Sequence, residues 1–244
     1  MIRATMRSAL TAGDIELALD LLARSDAERR RLLQKALDEG PDALWDDPRL
    51  MPALLAYQGL AQPSAALFFY VTLRRLLLEL GVDDRETTDY CAALVLAFGR
   101  KDRAYRVGEH DENRYAYLVD LVAEAGRAEG ERQFQVRLHL GNFALWLTGI
   151  FPDYIAARRV SKGGPDLPYY ERMGRAGFRF ACDHRLAEAY GLTPVLRLAA
   201  DRFGTLRVAL NRLSDRMLFP HHTSADRLLR QVADDFAAGL AELQ

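Results

Sequence analysis

The stretch HLGNFALWLTGIFPDYIAARRV, residues 139–160, is the most apolar part of the chain and decides its fold. Apolar residues recur in it every three or four positions, the period of a helix with one buried face. Pro152 has no N–H and clashes with the preceding turn, so a helix must end or kink near Phe151. The sequence therefore predicts a core helix over 129–150 and a second helix from Pro152. The residues predicted to share the buried face are Phe143, Trp146 or Leu147, Ile150 and Tyr154.

The same stretch is too short to be a membrane anchor. A transmembrane helix needs about 20 apolar residues, and the uncharged run 140–152 is well short of that and contains Asn142. Residues 1–14 lack the apolar centre of a secretory signal. Cys91 and Cys182 lie far apart in helical patterns, which is typical of reduced, buried thiols. We therefore expect a cytoplasmic protein that does not bind a membrane.

Helical periodicity extends over nearly the whole chain, and no run alternates with the period of two typical of strands. Residues 65–73 are apolar on almost all sides, so we place their helix at the centre of the fold, with Gly81 as its left-handed stop. Further helix starts are predicted at a Ser25–Glu28 capping box and at Thr193–Pro194. These patterns predict an all-α protein, an irregular bundle of about nine to eleven helices.

The helical pattern lapses over 100–113, a charged segment that we expect to be a polar surface loop. At 244 residues the chain is long enough for one large domain or two small ones. We predict a single all-helical domain, 1–244. The alternative is an N-terminal helical subdomain, 1–99, joined by that loop to a C-terminal bundle, 114–244. A second loop is predicted over 161–168, followed by a helix that reaches Gly191.

Beyond Pro194, apolar residues step alternately by three and four, which makes a heptad seam. Its members are Leu196, Ala199, Phe203, Leu206, Leu210, Leu213 and Met217. A similar stripe, on a last helix that Ser224 can cap, consists of Leu229, Val232, Phe236, Leu240 and Leu243. Such a seam packs inside a bundle, the commoner arrangement, or against a second chain. We therefore hypothesise that the C-terminal helices bind a protein partner or mediate self-association.

A polar stripe precedes the apolar run on the predicted core helix. Its residues, which line either the mouth of a pocket or a solvent-facing edge, are Arg132, Gln135, His139 and Asn142. After the break, Asp153 suits the first turn of a helix and the Arg158–Arg159 pair suits its last turn, because of the helix dipole. Tyrosine hydroxyls and guanidinium groups in such a pocket can hold an anionic ligand, and His139 can transfer a proton if its pKa is near neutral. The candidate binding residues are His139, Asn142, Asp153, Arg158, Arg159, Tyr169 and Tyr170.

Residues 140–160, followed by YYERMGRAGF at 169–178, resemble a segment of uncharacterised bacterial all-helical proteins. The shared features are a Gly, an apolar run that ends in Gly-x-Phe-Pro, basic residues, Tyr-Tyr and a further Gly. Here they correspond to Gly141, Gly149, Phe151, Pro152, Arg158, Arg159, Tyr169, Tyr170 and Gly174. The resemblance covers a small part of the chain, and it implies a helical family with no known activity.

Patterns for metal binding and nucleophilic catalysis are missing from the sequence. The histidines include no i, i+4 pair and no Glu-x-x-His motif, and there is no Gly-x-Ser-x-Gly elbow. The aspartate pairs at 46–47, 83–84 and 234–235 lack the third aspartate of a magnesium cluster, and the first two pairs are interpreted as helix caps. His184 and Glu188 are interpreted as an ion pair. We expect no catalytic residue, no metal and no cofactor.

The charge balance gives no reason to expect a nucleic-acid partner. The net charge is −1, and all but three of the 33 basic residues are arginine. Our leading hypothesis is a non-catalytic cytoplasmic interaction or scaffold protein. The alternative is a small-molecule-binding protein or enzyme with a pocket for an anionic ligand near Pro152 and Tyr169–Tyr170. A third hypothesis is a regulator that holds a peptide helix in an apolar groove.

Overall fold

The computed structural model describes residues 1–60, 62–100, 102–221 and 227–232. Within these residues every regular element is a helix, and ten helices have seven residues or more. The predicted all-α fold is therefore confirmed, with a number of helices close to the prediction. The chain divides into two compact units, residues 2–96 and the residues from 97 onward together with Met1.

The first unit is built around α5. Its helices are α1 (Ala12–Ala23), α2 (Ala27–Glu39), α3 (Asp42–Trp45), α4 (Leu50–Leu55), α5 (Ala65–Glu79) and most of α6 (Arg85–Phe98). Leu67, Tyr70 and Leu73 of α5 are completely buried, because the helix is apolar around most of its circumference. Gly81 follows α5 with a φ of +71°, the left-handed stop that the sequence predicts. The central position of α5 is thus confirmed within this unit.

One predicted helix start in the first unit is wrong, and one predicted pair of caps is only partly right. Arg24 and Ser25 both adopt left-handed backbone, with φ of 49° and 68°, so the turn places Asp26 at the start of α2. The Asp26 carboxylate accepts the N–H of Arg29 at 3.0 Å, in place of the predicted Ser25–Glu28 capping box. The Asp46–Asp47 pair is also not a simple cap, since only Asp47 accepts a backbone N–H ahead of α4.

Asp46 instead pairs with a buried arginine, Arg74. The Arg74 side chain is 1% exposed, and its Nε donates to Asp46 Oδ1 at 2.6 Å. Arg74 Nη2 donates to Asp83 at 2.5 Å, so Asp83 is an ion-pair partner as well and only Asp84 caps α6. A buried guanidinium must be paired to be tolerated, which explains why these aspartates occur here.

The second unit is built around α8. Its helices are α7 (Leu118–Arg127), α8 (Gly130–Ile150), α9 (Pro152–Lys162), α10 (Leu167–Cys182), α11 (Arg185–Ala189), α12 (Thr193–Asp201) and α13 (Phe203–Leu213), with a π-helical turn at Ser214–Leu218. Every residue over 138–150 of α8 is buried, against α7, α10 and α13. This confirms the predicted core helix, its break after Ile150 and the restart at Pro152.

Glycines let α8 and α10 approach closely. A Cβ on Gly177 of α10 would lie 2.7 Å from the carbonyl oxygen of Arg137 and 2.9 Å from the nitrogen of Gly141. A Cβ on Gly174 would lie 2.4 Å from the ring of Phe203. Gly177 is therefore required by contact with the backbone of α8, whereas Gly174 makes room for the side chain of Phe203.

Several predicted boundaries in the second unit need correction. α10 ends at Cys182 rather than Gly191, because His184 begins a separate helix by accepting the N–H of Leu186 at its Nδ1. His184 is thus a helix cap, not the predicted ion-pair partner of Glu188. At α12, Leu192 rather than Thr193 is the N-cap. The predicted loop 161–168 shrinks to 163–166, since residues at both of its ends are helical.

The heptad seam is divided between α12 and α13 and packs inside the chain. All its members except Met217 are buried: Leu196, Ala199, Phe203, Leu206, Leu210 and Leu213. The stripe on the last predicted helix is described only over 227–232, where Leu229 and Val232 are exposed. Ser224, Phe236, Leu240 and Leu243 lie outside the described residues. Partner binding through these helices stays a prediction.

Candidate functional site

The proline break leaves carbonyl groups of α8 without helical donors. Pro152 has no N–H to offer the carbonyl of Thr148, four residues earlier, and the end of the helix affects the following carbonyls as well. The Asn211 side chain of α13 supplies the missing donor. Its Nδ2 donates to the carbonyl oxygens of Thr148 and Gly149 at 2.8 and 2.7 Å. Asn211 is 1% exposed, so these bonds are shielded from water.

Ser214 completes this arrangement at the last residue of α8. Its hydroxyl donates to the carbonyl oxygen of Ile150 at 2.8 Å, and the side chain is buried. Ser214 also begins the π-helical turn Ser214–Leu218, a wide turn of a kind often found at functional positions. The end of α8 and the end of α13 are therefore fixed to each other by buried hydrogen bonds.

A cavity of about 220 Å³ lies between the start of α9 and this π turn. It is lined by Ile150, Phe151, Pro152, Asp153, Tyr154, Ser214, Asp215, Phe219 and Arg227. The sequence places a pocket at the Phe151–Pro152 break, and the cavity is there. Its opposite wall differs from the prediction, because it is formed by residues after α13 rather than by Tyr169–Tyr170.

Aromatic rings connect the core to the mouth of the cavity. The ring of Trp146 lies 5.1 Å from that of Phe151, which in turn lies 5.8 Å from Phe219. Phe219 is 40% exposed and Tyr154 is 51% exposed. Tyr154 thus does not share the buried face predicted for it, because the chain changes direction at Pro152. Two partly exposed rings, one on each wall, form the lip of the cavity.

The polar end of the cavity is an ion-pair cluster around Asp215. Arg227 Nε lies 2.9 Å from Asp215, and Arg230 Nη2 donates to both carboxylate oxygens at 2.9 and 3.1 Å. Gln231 Nε2 adds a further hydrogen bond of 2.8 Å. Asp153 contributes a second carboxylate from the first turn of α9, where the helix dipole favours it. This end of the cavity therefore carries charges of both signs.

A surface cluster centred on Arg158 adjoins the cavity. Its guanidinium lies 4.4 Å from the centre of the Tyr117 ring, and its Nη1 donates to the hydroxyl of Tyr154 at 2.9 Å. Tyr154 therefore belongs both to the cavity wall and to this cluster. Stacking and the hydrogen bond hold the Arg158 side chain in one orientation at the surface.

Tyr169 and Tyr170 extend the cluster onto α10. Their rings make an edge-to-face contact at 6.0 Å, and the guanidinium of Arg172 lies 6.0 Å from the Tyr169 ring. Burial raises the pKa of Tyr170, with nearby Arg158 opposing the shift. Here we call the whole set the tyrosine–arginine surface, which consists of Tyr117, Tyr154, Arg158, Tyr169, Tyr170 and Arg172.

The cations on and beside this surface have no carboxylate partner among the described residues. Arg158 and Arg172 form no ion pair there, and the exposed side chains of Arg159 and Lys162 form none either. α9 continues to Lys162, so Arg159 lies in its last turn as predicted, together with Lys162, whereas Arg158 lies before the last turn. Of the seven candidate residues, the structure thus brings Arg158, Tyr169 and Tyr170 together, with Arg159 beside them on α9, whereas Asp153 belongs to the cavity.

His139 and Asn142 lie elsewhere, in the interior on α8. His139 is 4% exposed, and its Nε2 donates to the carbonyl oxygen of Ala104 at 2.9 Å. Burial, followed by the nearby Arg103, lowers the pKa of His139 to about 3. The imidazole is therefore neutral near pH 7 and does not have the near-neutral pKa that proton transfer would require. Asn142 is 2% exposed, and neither residue lines the cavity.

The polar stripe on α8 holds the loop 100–113 in place. Besides the His139 bond to Ala104, Arg132 Nη1 lies 2.6 Å from Asp111 of the same loop. Ala104 and Val107 are buried, so the segment is not the wholly polar surface connection that its charges suggest. Arg132 and His139 thus bind this loop rather than line a pocket mouth, whereas Gln135 is half-buried and donates to Glu131.

Sequence reasoning missed the residues that form the far wall of the cavity, which are Ser214, Asp215, Phe219 and Arg227, and it missed Asn211, which binds the end of α8. One signal was available, because a proline in a buried helix creates a need for side-chain donors elsewhere. Asn211 and Ser214 are polar residues placed beside seam leucines, which makes them candidates for that role. The pairing itself spans more than sixty positions of the chain, a separation that local periodicity cannot resolve.

Comparison of the chain with protein-family models, curated proteins and solved structures gave no match. The resemblance of residues 140–178 to helical bacterial proteins stays a prediction. Among the described residues, no group of three or more His, Cys, Asp or Glu side chains is placed to hold a metal ion. In the same residues, no helix combines the length and apolar character needed to cross a membrane.

Proposed function

We propose that this protein is a non-catalytic interaction protein whose tyrosine–arginine surface binds an acidic segment of a partner protein. The observation that carries the proposal is Arg158, held between Tyr117 and Tyr154 with no carboxylate partner among the described residues. Tyrosine and arginine are the residues enriched at the centres of protein interfaces. An arginine already fixed in one orientation loses little freedom on binding, which favours affinity.

Charge supports an acidic partner. Arg158 and Arg172 of the surface, with Arg159 and Lys162 beside them, make a local excess of positive charge on a chain whose net charge is −1. A guanidinium binds a carboxylate through two parallel hydrogen bonds, which makes an acidic peptide a suitable occupant. The near-neutral chain as a whole favours a protein partner over nucleic acid.

The free thiols of Cys91 and Cys182, both buried, support the cytoplasm as the proposed location.

The test is fluorescence anisotropy of the full-length protein with a labelled peptide of glutamate and glycine. A matched peptide of glutamine and glycine is the control ligand. We expect the acidic peptide to bind and Arg158→Gln to weaken it about tenfold, or about 1.4 kcal/mol. Arg197→Gln on α12, the same charge change at an exposed site outside the surface, should leave the affinity unchanged.

Three results would contradict the proposal. One is equal binding of the two peptides, and another is an equal loss in Arg158→Gln and Arg197→Gln, which would indicate general attraction between charges. The third is tighter binding of a labelled single-stranded oligonucleotide than of the acidic peptide, with the same dependence on Arg158. That result would assign the surface to nucleic acid instead.

A further inference from the structure

We infer that the cavity between α9 and the π turn is a binding site for a small, neutral molecule with one aromatic ring and one hydrogen-bond donor, such as a phenol. The inference rests on the geometry of the cavity and is independent of the proposed function. It adds a second site, for a small molecule, to a protein whose surface we assign to a protein partner.

The size of the cavity sets the size of the ligand. At about 220 Å³ it is somewhat larger than the cavity of about 150 Å³ that accommodates benzene in an engineered core. It is smaller than the pockets of about 300–1,000 Å³ that hold drug-sized ligands. One ring with a small substituent therefore fits the space, whereas a nucleotide or a peptide helix does not.

The walls set the apolar character of the ligand. Phe151, Pro152 and Ile150 form a continuous apolar side, and Phe219 and Tyr154 form the lip. Aromatic rings pack favourably edge to face or offset against one another, so a ligand ring is well matched to this lining. Partly exposed rings at a concave site are also a common feature of ligand-binding clefts.

The polar end sets the charge and the hydrogen-bonding group. Two carboxylates, Asp153 and Asp215, and one guanidinium, Arg227, line this end, and Asp215 is paired with Arg227 and Arg230. A carboxylate accepts several hydrogen bonds and donates none when ionised, so the lining favours a ligand that donates. An anionic ligand would meet both carboxylates, and a cation would compete with Arg227 and Arg230 for Asp215. A neutral O–H or N–H group avoids both costs.

The cavity is held open by the hydrogen bonds around it. Asn211 and Ser214 fix the end of α8 against α13, which prevents the two walls from closing together. When a cavity cannot collapse, the atoms that line it lack van der Waals contacts on one side. A bound ligand supplies these contacts, which favours its binding.

The test is titration of the full-length protein with phenol, followed by ligand-observed NMR. Toluene, which has the ring but no donor, and benzoate, which is anionic, are the matched ligands. We expect phenol to bind more tightly than either. Phe219→Ala should weaken phenol binding about three- to tenfold by removing one wall. Phe180→Ala is the control, since Phe180 is 36% exposed, close to the 40% of Phe219, and does not line the cavity.

Each opposite result overturns a stated part of the inference. If phenol does not bind to the wild-type protein, or if Phe219→Ala and Phe180→Ala have equal effects, the cavity is not the proposed binding site. If toluene binds as tightly as phenol, the ligand needs no hydrogen-bond donor. If benzoate binds more tightly than phenol, the ligand is anionic, as expected from the sequence. Peptide binding in the anisotropy assay is a separate readout, so failure here leaves the proposed function to its own test.

Discussion

Replacement of Asn211 tests whether the proline break in α8 depends on a side-chain donor. In Asn211→Ala the carbonyls of Thr148 and Gly149 lose their bonds from Nδ2, and Arg207 Nη1 loses its bond of 2.6 Å to Oδ1. Each unsatisfied buried carbonyl costs about 1–3 kcal/mol. We therefore expect Asn211→Ala to lower the free energy of unfolding by about 3–5 kcal/mol.

The matched comparison is Ser214→Ala, which removes a single bond to the carbonyl of Ile150. Its expected cost is about 1–2 kcal/mol. Both are measured by urea unfolding followed through the emission of Trp146, in a Trp45→Phe background. Trp45 belongs to the first unit and Trp146 to the second, so the signal then reports the unit that contains the break.

A double-mutant cycle with Pro152→Ala tests whether the proline is the reason that α8 needs the side-chain donor of Asn211. Alanine at 152 restores an N–H that can reach the carbonyl of Thr148, so part of the need for Asn211 disappears. The loss caused by Asn211→Ala should then be smaller by about 1 kcal/mol or more in the Pro152→Ala background. If the two changes add to within about 0.5 kcal/mol, the proline does not create the need for the amide, and the reasoning about the break is refuted.

Three further outcomes are expected. Because burial lowers the pKa of His139 to about 3 while the unfolded side chain titrates near 6.5, protons favour the unfolded chain below pH 6.5. Protonation of this residue in the unfolded chain should lower the free energy of unfolding by about 2 kcal/mol between pH 6.5 and 5. The His139→Gln variant lacks this contribution, so its free energy of unfolding, measured with urea, should fall by about 2 kcal/mol less over the same range. Gly177→Ala should cost about 2–3 kcal/mol in the same assay because its Cβ meets backbone, whereas Gly126→Ala, with open space around it on α7, should gain up to about 1 kcal/mol. Tyr154→Ala should weaken both phenol and acidic-peptide binding, whereas Arg158→Gln should weaken the peptide alone; an effect of Tyr154→Ala on one ligand only would separate the two sites.

The course of the chain through the core of the second unit could be predicted from local rules. A period of three to four in the apolar residues and a proline without an N–H are sufficient to place α8, its end and the start of α9. The position of Arg159 in the last turn of α9 follows from the helix dipole in the same way, whereas Arg158 lies before that turn because the helix continues to Lys162. Each of these features depends on residues within a few positions of one another.

The candidate site depends on residues far apart in sequence, and this is where prediction failed. The helical period predicts that Tyr154 lies on the buried face if one helix continues past Pro152. The chain changes direction at Pro152, and Tyr154 is exposed. The helical pattern predicts that the polar stripe on α8 lines a pocket or faces solvent. In the structure His139 and Arg132 bind the loop 100–113, and the helical pattern carries no information about these contacts. Asp215 pairs with Arg227 at 2.9 Å, a contact that the helical period does not encode.

The position of the cavity follows from the chemistry of the break. A proline in a buried helix creates carbonyls that need donors, and those donors must come from a neighbouring element at hydrogen-bonding distance. Asn211 and Ser214 supply these donors from the end of α13, beside Leu210, whose side chain packs over Gly149. The cavity lies beside these bonds, next to the ring of Phe151, which directly follows the last residue of α8. The residues that satisfy the backbone are therefore also those that keep a ring-sized space open, and loss of Asn211 should reduce phenol binding as well as stability.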